Sequence, residues 1–259
     1  MMITLTPLQI KLVRTLIIIG GLSLSVKQDI EKREVDDRIW VFLLIASLPL
    51  TVLEYQSKEQ WFLPLILHVF SITVGSIVSL LFAYLDYFGG GDAKAFITLS
   101  ILEPPSPLSL IPSLSLMINS SILTLTIIAW LLAKNLVRII LYNEKFLSDF
   151  NTLKEKIFVL LFTDKTKLSR IKEKPYKFFI VERPTANGRR KIVFKHTISE
   201  DTLETLNSLL ETGLYSPDTE VYTTPAVPYL LFIFLGYILY IILGSPLDLL
   251  FKLTVPLKV

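Results

Sequence analysis

Apolar residues run along this chain in long blocks, separated by short charged stretches or by glycines and prolines. The first block, Leu12 to Val26, is short for a bilayer span, which needs about 20 residues. With Lys11 and Arg14 snorkelling to the interface at one end, it predicts a helix from about Pro7 to Gln28. Lys27 to Arg38 follows, with nine charged residues in twelve positions, and reads as a loop. Ile39 to Leu53 predicts a second helix, Glu54 to Gln60 a polar turn, and Trp61 to Tyr84 a third helix with aromatic residues at interfacial positions. Ala93 to Leu102 is helix-compatible, but Pro104-Pro105 and Pro107 stop it. Ten residues rise only about 15 Å, half of a ~30 Å hydrocarbon core, so this predicts a short fourth helix buried among its neighbours. Leu108 to about Ile140 predicts a fifth helix, whose Lys134 and Arg138 carry it past the interface. Val227 to Leu243 predicts a sixth, led in by Pro225 and Pro228.

Between Tyr142 and Thr224 the pattern changes. This stretch holds 14 Lys/Arg and 12 Asp/Glu and reads as a soluble insertion. Tyr176–Glu182 and Arg190–His196 are strand-like runs around Asn187-Gly188, a pair suited to positive φ in a hairpin turn. A helix follows from Thr197 or Ser199 to Glu211, with Ser199 as N-cap, Leu203, Leu206, Leu209 and Leu210 on one face, and Gly213 as its stop. Thr223 to Pro228 is expected only to set how the last helix meets the bilayer. The expected fold is an all-α polytopic membrane protein of six transmembrane helices, one short, with a small α+β cytoplasmic insertion. Its parts are residues 1–141 (membrane helices), 142–224 (insertion) and 225–259 (last helix and tail).

Composition supports this reading. The chain has 259 residues, 52% hydrophobic, and a mean hydropathy of +0.57. Its 19% charged residues fall below the roughly 25% of an average soluble protein. A net charge of +3 with interleaved acids argues against a nucleic-acid partner. The absence of cysteine removes disulfides, thiolate zinc sites and cysteine nucleophiles, and two histidines exclude a His-rich metal site, so no metal or cofactor is expected. Gly20-Gly21 leads into a charged segment rather than a cleavage site, so no cleavable signal is expected. Eight basic residues near span ends (Lys27, Lys32, Arg33, Arg38, Lys94, Lys134, Arg138, Lys145) fall on one side, and five (Lys11, Arg14, Lys58, Lys252, Lys258) on the other. The positive-inside rule then puts the charged loop, the glycine turn and the insertion in the cytoplasm, and both termini outside.

Gly89-Gly90-Gly91-Asp92 carries the chemistry. An acid at the edge of a span costs roughly 2.5–3.5 kcal/mol if drawn to the bilayer centre, so it marks a functional site. The three glycines leave room for a second backbone to approach. In a six-span plan the segments after the first and third helices emerge on the same side, which brings Asp29 toward Asp92. Two carboxylates held close share a proton, so the ionised one can activate water while the neutral one polarises a carbonyl. Asp92, as N-cap of the fourth helix, is expected to be the more ionised, and Asp29, near a helix C-terminus, to hold the proton. Other readings stand beside this one. Asp92 could be a simple cap and Asp29 one member of a salt-bridged loop. Asp36 and Asp37 compete for the first catalytic role, and Asp86 for that of Asp92's partner. Lys94 could orient the site or be an interfacial cation. Glu31, Glu34, Asp36 and Asp37 could attract a basic peptide or pair among themselves. His68 reads as a hydrogen-bonded packing residue, and intramembrane charge is expected to be nearly absent.

Ser25-Val26-Lys27-Gln28-Asp29-Ile30-Glu31-Lys32-Arg33-Glu34-Val35 resembles the first catalytic region of the prepilin peptidases, and Gly89-Gly90-Gly91-Asp92-Ala93-Lys94 is similar to their Gly-x-Gly-Asp motif. Size, span plan and insertion resemble the archaeal branch, the preflagellin (prearchaellin) and prepilin peptidases. The resemblance implies catalytic roles for Asp29 and Asp92. It also implies archaellin- or type IV pilin-like precursors as substrates, cut after a short basic leader at the cytoplasmic face. Family members that also methylate the new N-terminus commonly carry a four-cysteine zinc loop. This chain has no cysteine, so a peptidase without that second activity is expected. The alternatives are a protease of the signal peptide peptidase kind, or a non-enzymatic transporter or assembly scaffold. The first would need an acid higher in the third helix and a Pro-Ala-Leu element, where this chain has Pro225-Ala226-Val227. The second would be favoured by a broken helix, but no internal repeat is visible.

Overall fold

The computed structural model describes residues 6–56, 60–106, 109–142, 147, 150, 152–184, 190–192, 202–211, 213, 215–246 and 248–249. In chain order these form α1 (Pro7–Lys32), α2 (Arg38–Gln56), α3 (Phe62–Tyr84), α4 (Gly90–Leu102), α5 (Pro112–Leu141), α6 (Leu153–Phe162), β1 (Asp164–Lys167) and α7 (Leu168–Glu173). After a 3-10 turn at Pro175–Lys177 come β2 (Phe178–Ile180), β3 (Glu182–Pro184), β4 (Arg190–Ile192), α8 (Thr202–Glu211), β5 (Glu220–Pro225) and α9 (Tyr229–Leu243). The chain divides into two compact units, residues 1–124 with 228–259, and residues 125–227. Among the described residues, α1, α2, α3 and α5 are long and apolar enough to cross a bilayer, and α9 is a shorter apolar helix.

α1 opens on a capping box: Thr6 Oγ1 accepts the Gln9 N–H and Gln9 Oε1 accepts the Thr6 N–H, with Pro7 at the first helical position. It runs to Lys32, past the expected end at Gln28. Gln, Glu and Lys are good helix formers, and charge alone breaks nothing. Arg33, at φ 61°, ends the helix in the left-handed region and returns its N–H to the Asp29 carbonyl at 3.1 Å. The expected twelve-residue loop is therefore a turn over residues 33–37, and Asp29 sits on the last turn of a helix.

α4 has 13 residues and buries Ala93, Ala95, Phe96, Thr98, Leu99, Ser100 and Leu102. It packs against α2, α3 and α9, and shares a core with Ile18 and Leu22 of α1, Leu43 of α2, and Ile233 and Tyr237 of α9. Lipid tails are as apolar as these side chains, so helices in a bilayer are held by close packing and hydrogen bonds. Both are present here. Gly236 of α9 lies so near α5 that an added Cβ would stand 2.9 Å from the Ser120 backbone nitrogen. His68 Nε2 lies 3.1 Å from the Ser100 carbonyl, the packing role expected of it. Thr51 Oγ1 donates to the Leu102 carbonyl at 3.0 Å.

A further expectation fails in this unit. Arg14 does not snorkel; it is buried, with Nη1 2.5 Å from Glu54 and Nη2 3.6 Å from Glu103. Tyr237 donates to the other Glu103 oxygen at 2.6 Å. Among the described residues, Arg14, Glu54, Glu103 and Tyr237 thus form a charged network packed between α1, α2, the end of α4, and α9. Glu54 and Glu103 stand just past apolar runs and read locally as turn residues, which hid their pairing.

In the second unit β5 is the centre of an antiparallel sheet ordered β1-β5-β2, so Thr223 to Pro225 are strand residues rather than only a lead-in to the last helix. The expected hairpin exists, in shorter form, as β3 paired with β4; Asn187-Gly188 lies outside the described residues. Phe178 to Ile180 leaves that hairpin for β5. α8 buries Leu206 and Leu209, and Gly213, at φ 69°, returns its N–H to Leu210 after it; the expected cap Ser199 lies outside the described residues. Asn135 of α5 donates to the Leu160 and Thr163 carbonyls at 2.9 Å each, capping α6.

Candidate active site

The last turn of α1 and the first turn of α4 lie in the same unit and bring Asp29 and Asp92 within electrostatic range of each other. The Asp29 carboxylate lies 3.8 Å from Arg33, four residues on and one helical turn away. The backbone N–H of Leu230, in the first turn of α9, is also directed at it. A guanidinium and a helix N-terminus are partners that suit a carboxylate anion.

Asp92 is placed differently from expectation. Gly89, in extended conformation, is the N-cap of α4, and Asp92 is its third residue. The Gly89 N–H donates to Asp92 Oδ2 at 3.0 Å. Burial pushes the Asp92 carboxyl up to about 7; the Gly89 hydrogen bond opposes this, the charge of Asp29 adds to it, and Arg33 opposes it weakly. At Asp92 desolvation outweighs the helix N-terminus, against the expectation that the helix start favours its ionised form.

The glycines have separate surroundings. A Cβ on Gly89 would lie 3.2 Å from Asp92 Oδ2, one on Gly91 would meet Leu230 and Val35 at 3.9 Å, and one on Gly90 would meet nothing within 4 Å. Gly90 is thus the open side of the turn. Phe88 stacks on Phe96 (5.3 Å between centroids) and on Tyr229 (5.2 Å), forming an aromatic wall beside Asp92. Nothing local in the sequence marks Tyr229 or Leu230, which reach the site only through the packing of α9. Arg33 was visible as the residue four after Asp29, but its left-handed cap geometry was not.

The competing acids are engaged elsewhere. Asp36 Oδ1 accepts the Arg38 N–H at the start of α2, and Asp37 pairs with Lys94 at 2.6 Å with both side chains exposed. Asp86 is exposed in the turn after α3, at φ 59°. Lys94 thus ties the start of α4 to that of α2 across the surface. Among the described residues no group of three or more His, Asp or Glu is placed to hold a metal ion.

The chain is similar to known proteins over most of its length. Residues 16–133 match the model described as the type IV leader peptidase family, and residues 155–245 match that of the archaeal peptidase A24 C-terminus, type II. The chain is 24% identical over 248 residues to a preflagellin peptidase of Methanocaldococcus jannaschii, covering 88% of this chain and 93% of that one. It is 24% identical over 238 residues to a preflagellin peptidase of Methanococcus maripaludis, covering 88% and 94%.

Proposed function

The chain belongs to the type IV leader peptidase family, in its archaeal branch, and is a protease; from that premise we propose that Asp29 and Asp92 are its catalytic pair. The observation that carries this is geometric: the half-buried Asp92 carboxylate, held by the Gly89 N–H at the glycine turn, lies within electrostatic range of Asp29 and of Arg33, the ion-pair partner of Asp29. Asp29, facing Arg33 and the α9 N-terminus, is the anion that takes a proton from the attacking water. Asp92, protonated, donates to the oxygen of the scissile carbonyl as the tetrahedral intermediate forms. The proton taken by Asp29 then goes to the leaving amine, and Asp92 takes back a proton from a hydroxyl of the intermediate as the C–N bond breaks and the carbonyl re-forms. The open side at Gly90 admits an extended substrate backbone, and Gly91 and Lys94 shape the turn.

The substrates are archaellin- or type IV pilin-like precursors with a short basic class III leader, in keeping with the preflagellin peptidases it resembles. In this reading α4 and α9 join the four long helices as membrane-embedded helices. The α1–α2 turn and the glycine turn face the cytoplasm, and both termini lie outside. Purified protein in detergent, mixed with a pilin-like precursor, tests the assignment. Asp29→Asn and Asp92→Asn should each abolish processing with the fold retained. Wild-type processing by either variant would remove that acid from the mechanism.

A further inference from the structure

We propose that the stretch from Lys165 to Lys177, on the second unit, is a docking surface for the anionic phospholipid headgroups of the membrane that holds α5. It rests on the membrane reading above. From Pro112 to Trp130 α5 rises about 27 Å, close to the ~30 Å of a hydrocarbon core. Trp130 is 57% exposed, and Lys134 sits over its ring at 5.2 Å, an aromatic-and-cation arrangement suited to an interface.

Asp164, the first residue of β1, is held by both Lys134 and Arg138 of α5, the latter at 2.6 Å. β1 therefore starts at headgroup depth. The thirteen residues that follow carry six basic side chains against one acid, Glu173. Lys167, Arg170, Lys172 and Lys174 are exposed, while Leu168 and Ile171 turn inward to the core of this unit. Asp218, 3.6 Å from Lys167, and Glu220, opposite Lys167 across the β1–β5 ladder, are exposed acids beside the patch; with Glu173 they still leave the six basic side chains in excess. Tyr142 at the end of α5 and Tyr176 beside Lys177 are exposed aromatics of the kind that settle among headgroups. Clustered lysines and arginines held next to a span are attracted by anionic lipid.

Hydrogen exchange of the full-length protein in nanodiscs is the test. In discs of about 30% phosphatidylglycerol, amides of residues 165–177 should exchange on the order of fivefold more slowly than in pure phosphatidylcholine. The difference should vanish in about 0.5 M salt, where the Debye length is about 4 Å. It should also vanish in the variant Lys167→Glu/Arg170→Glu/Lys172→Glu/Lys174→Glu, with β5 exchange unchanged as a check of folding. Equal exchange in the two lipids overturns the proposal, as does protection that appears in phosphatidylcholine with inorganic phosphate or only on addition of a precursor protein. Protection of α5 residues 115–129 in both lipids shows that the span itself is in the bilayer, which separates a failed patch from a failed membrane reading.

Discussion

Gly89 and Asp92 close the start of α4 on each other: the Gly89 N–H donates to Asp92 Oδ2 at 3.0 Å, and a Cβ on Gly89 would stand 3.2 Å from that oxygen. The site therefore needs glycine at 89 for room around a carboxylate rather than for an unusual backbone angle, since its φ is −67°. In Gly89→Ala the carboxylate must give way by a few tenths of an ångström, and kcat for precursor cleavage should fall about tenfold. Gly90→Ala faces open space within the protein, so it should leave kcat and folding intact and raise KM by crowding the substrate backbone. Steady-state kinetics of the two variants checks this. Equal effects of both on KM alone would break the assignment.

Asp92 makes folding stability depend on pH. Its carboxyl moves from an ordinary 3.8 to about 7 on folding, so between those values the folded state binds more protons than the unfolded one. That contribution is fully present below the unfolded value and is lost as pH rises through about 7. Three pH units correspond to about 4 kcal/mol as a ceiling; partial exposure and coupling to Asp29 bring the expected effect to on the order of 2 kcal/mol. Asp92→Asn, a neutral isostere, should therefore raise the unfolding temperature in detergent at pH 8, and by only about a third as much at pH 5. A gain that is the same at both pH values would show that the charge of Asp92 is not the cause.

Much of this site was legible in the sequence because it is built from chain punctuation. The glycine run, the acid after it, and the prolines that cut α4 short are local signals, and all three fall where the pattern put them. The charge of the pair was not legible. It depends on how deeply the packing of α9 and α1 buries Asp92, and local helix-terminus arguments gave the opposite sign. The end of α1 was misplaced for a related reason: charge density marks solvent exposure, whereas the chain stops being helical only where Arg33 turns left-handed. β5 was hidden because its partners, β1 and β2, are distant in sequence and only three or four residues long.

Arg33 trims the working pH range. Its cation favours the ionised form of Asp92, and in the proposed mechanism Asp92 must be protonated. Activity should thus decline as pH rises through about 7. Arg33→Gln removes a group that weakly lowers the Asp92 value, so the descending limb of kcat should move to higher pH by on the order of a few tenths of a unit. An Arg33→Lys variant should keep the limb near its original position. The pH profiles of the three proteins decide; an ascending limb that moves to higher pH in Arg33→Gln, in place of the descending one, would mean that Asp92 works as the anion.

Arg14 is 1% exposed, yet carries a full charge between Glu54 and Glu103. Removing one member of a buried ion network leaves the others uncompensated, which costs roughly 3–5 kcal/mol. Replacing the whole network by neutral groups is far milder, because the desolvation it imposes disappears as well. Arg14→Met should therefore be severely destabilising, and Arg14→Met/Glu54→Gln/Glu103→Gln should recover a large part of the loss. Denaturant unfolding in detergent measures both. A snorkelling arginine at the membrane surface would instead give an Arg14→Met loss within about 0.5 kcal/mol, with nothing for the triple variant to recover.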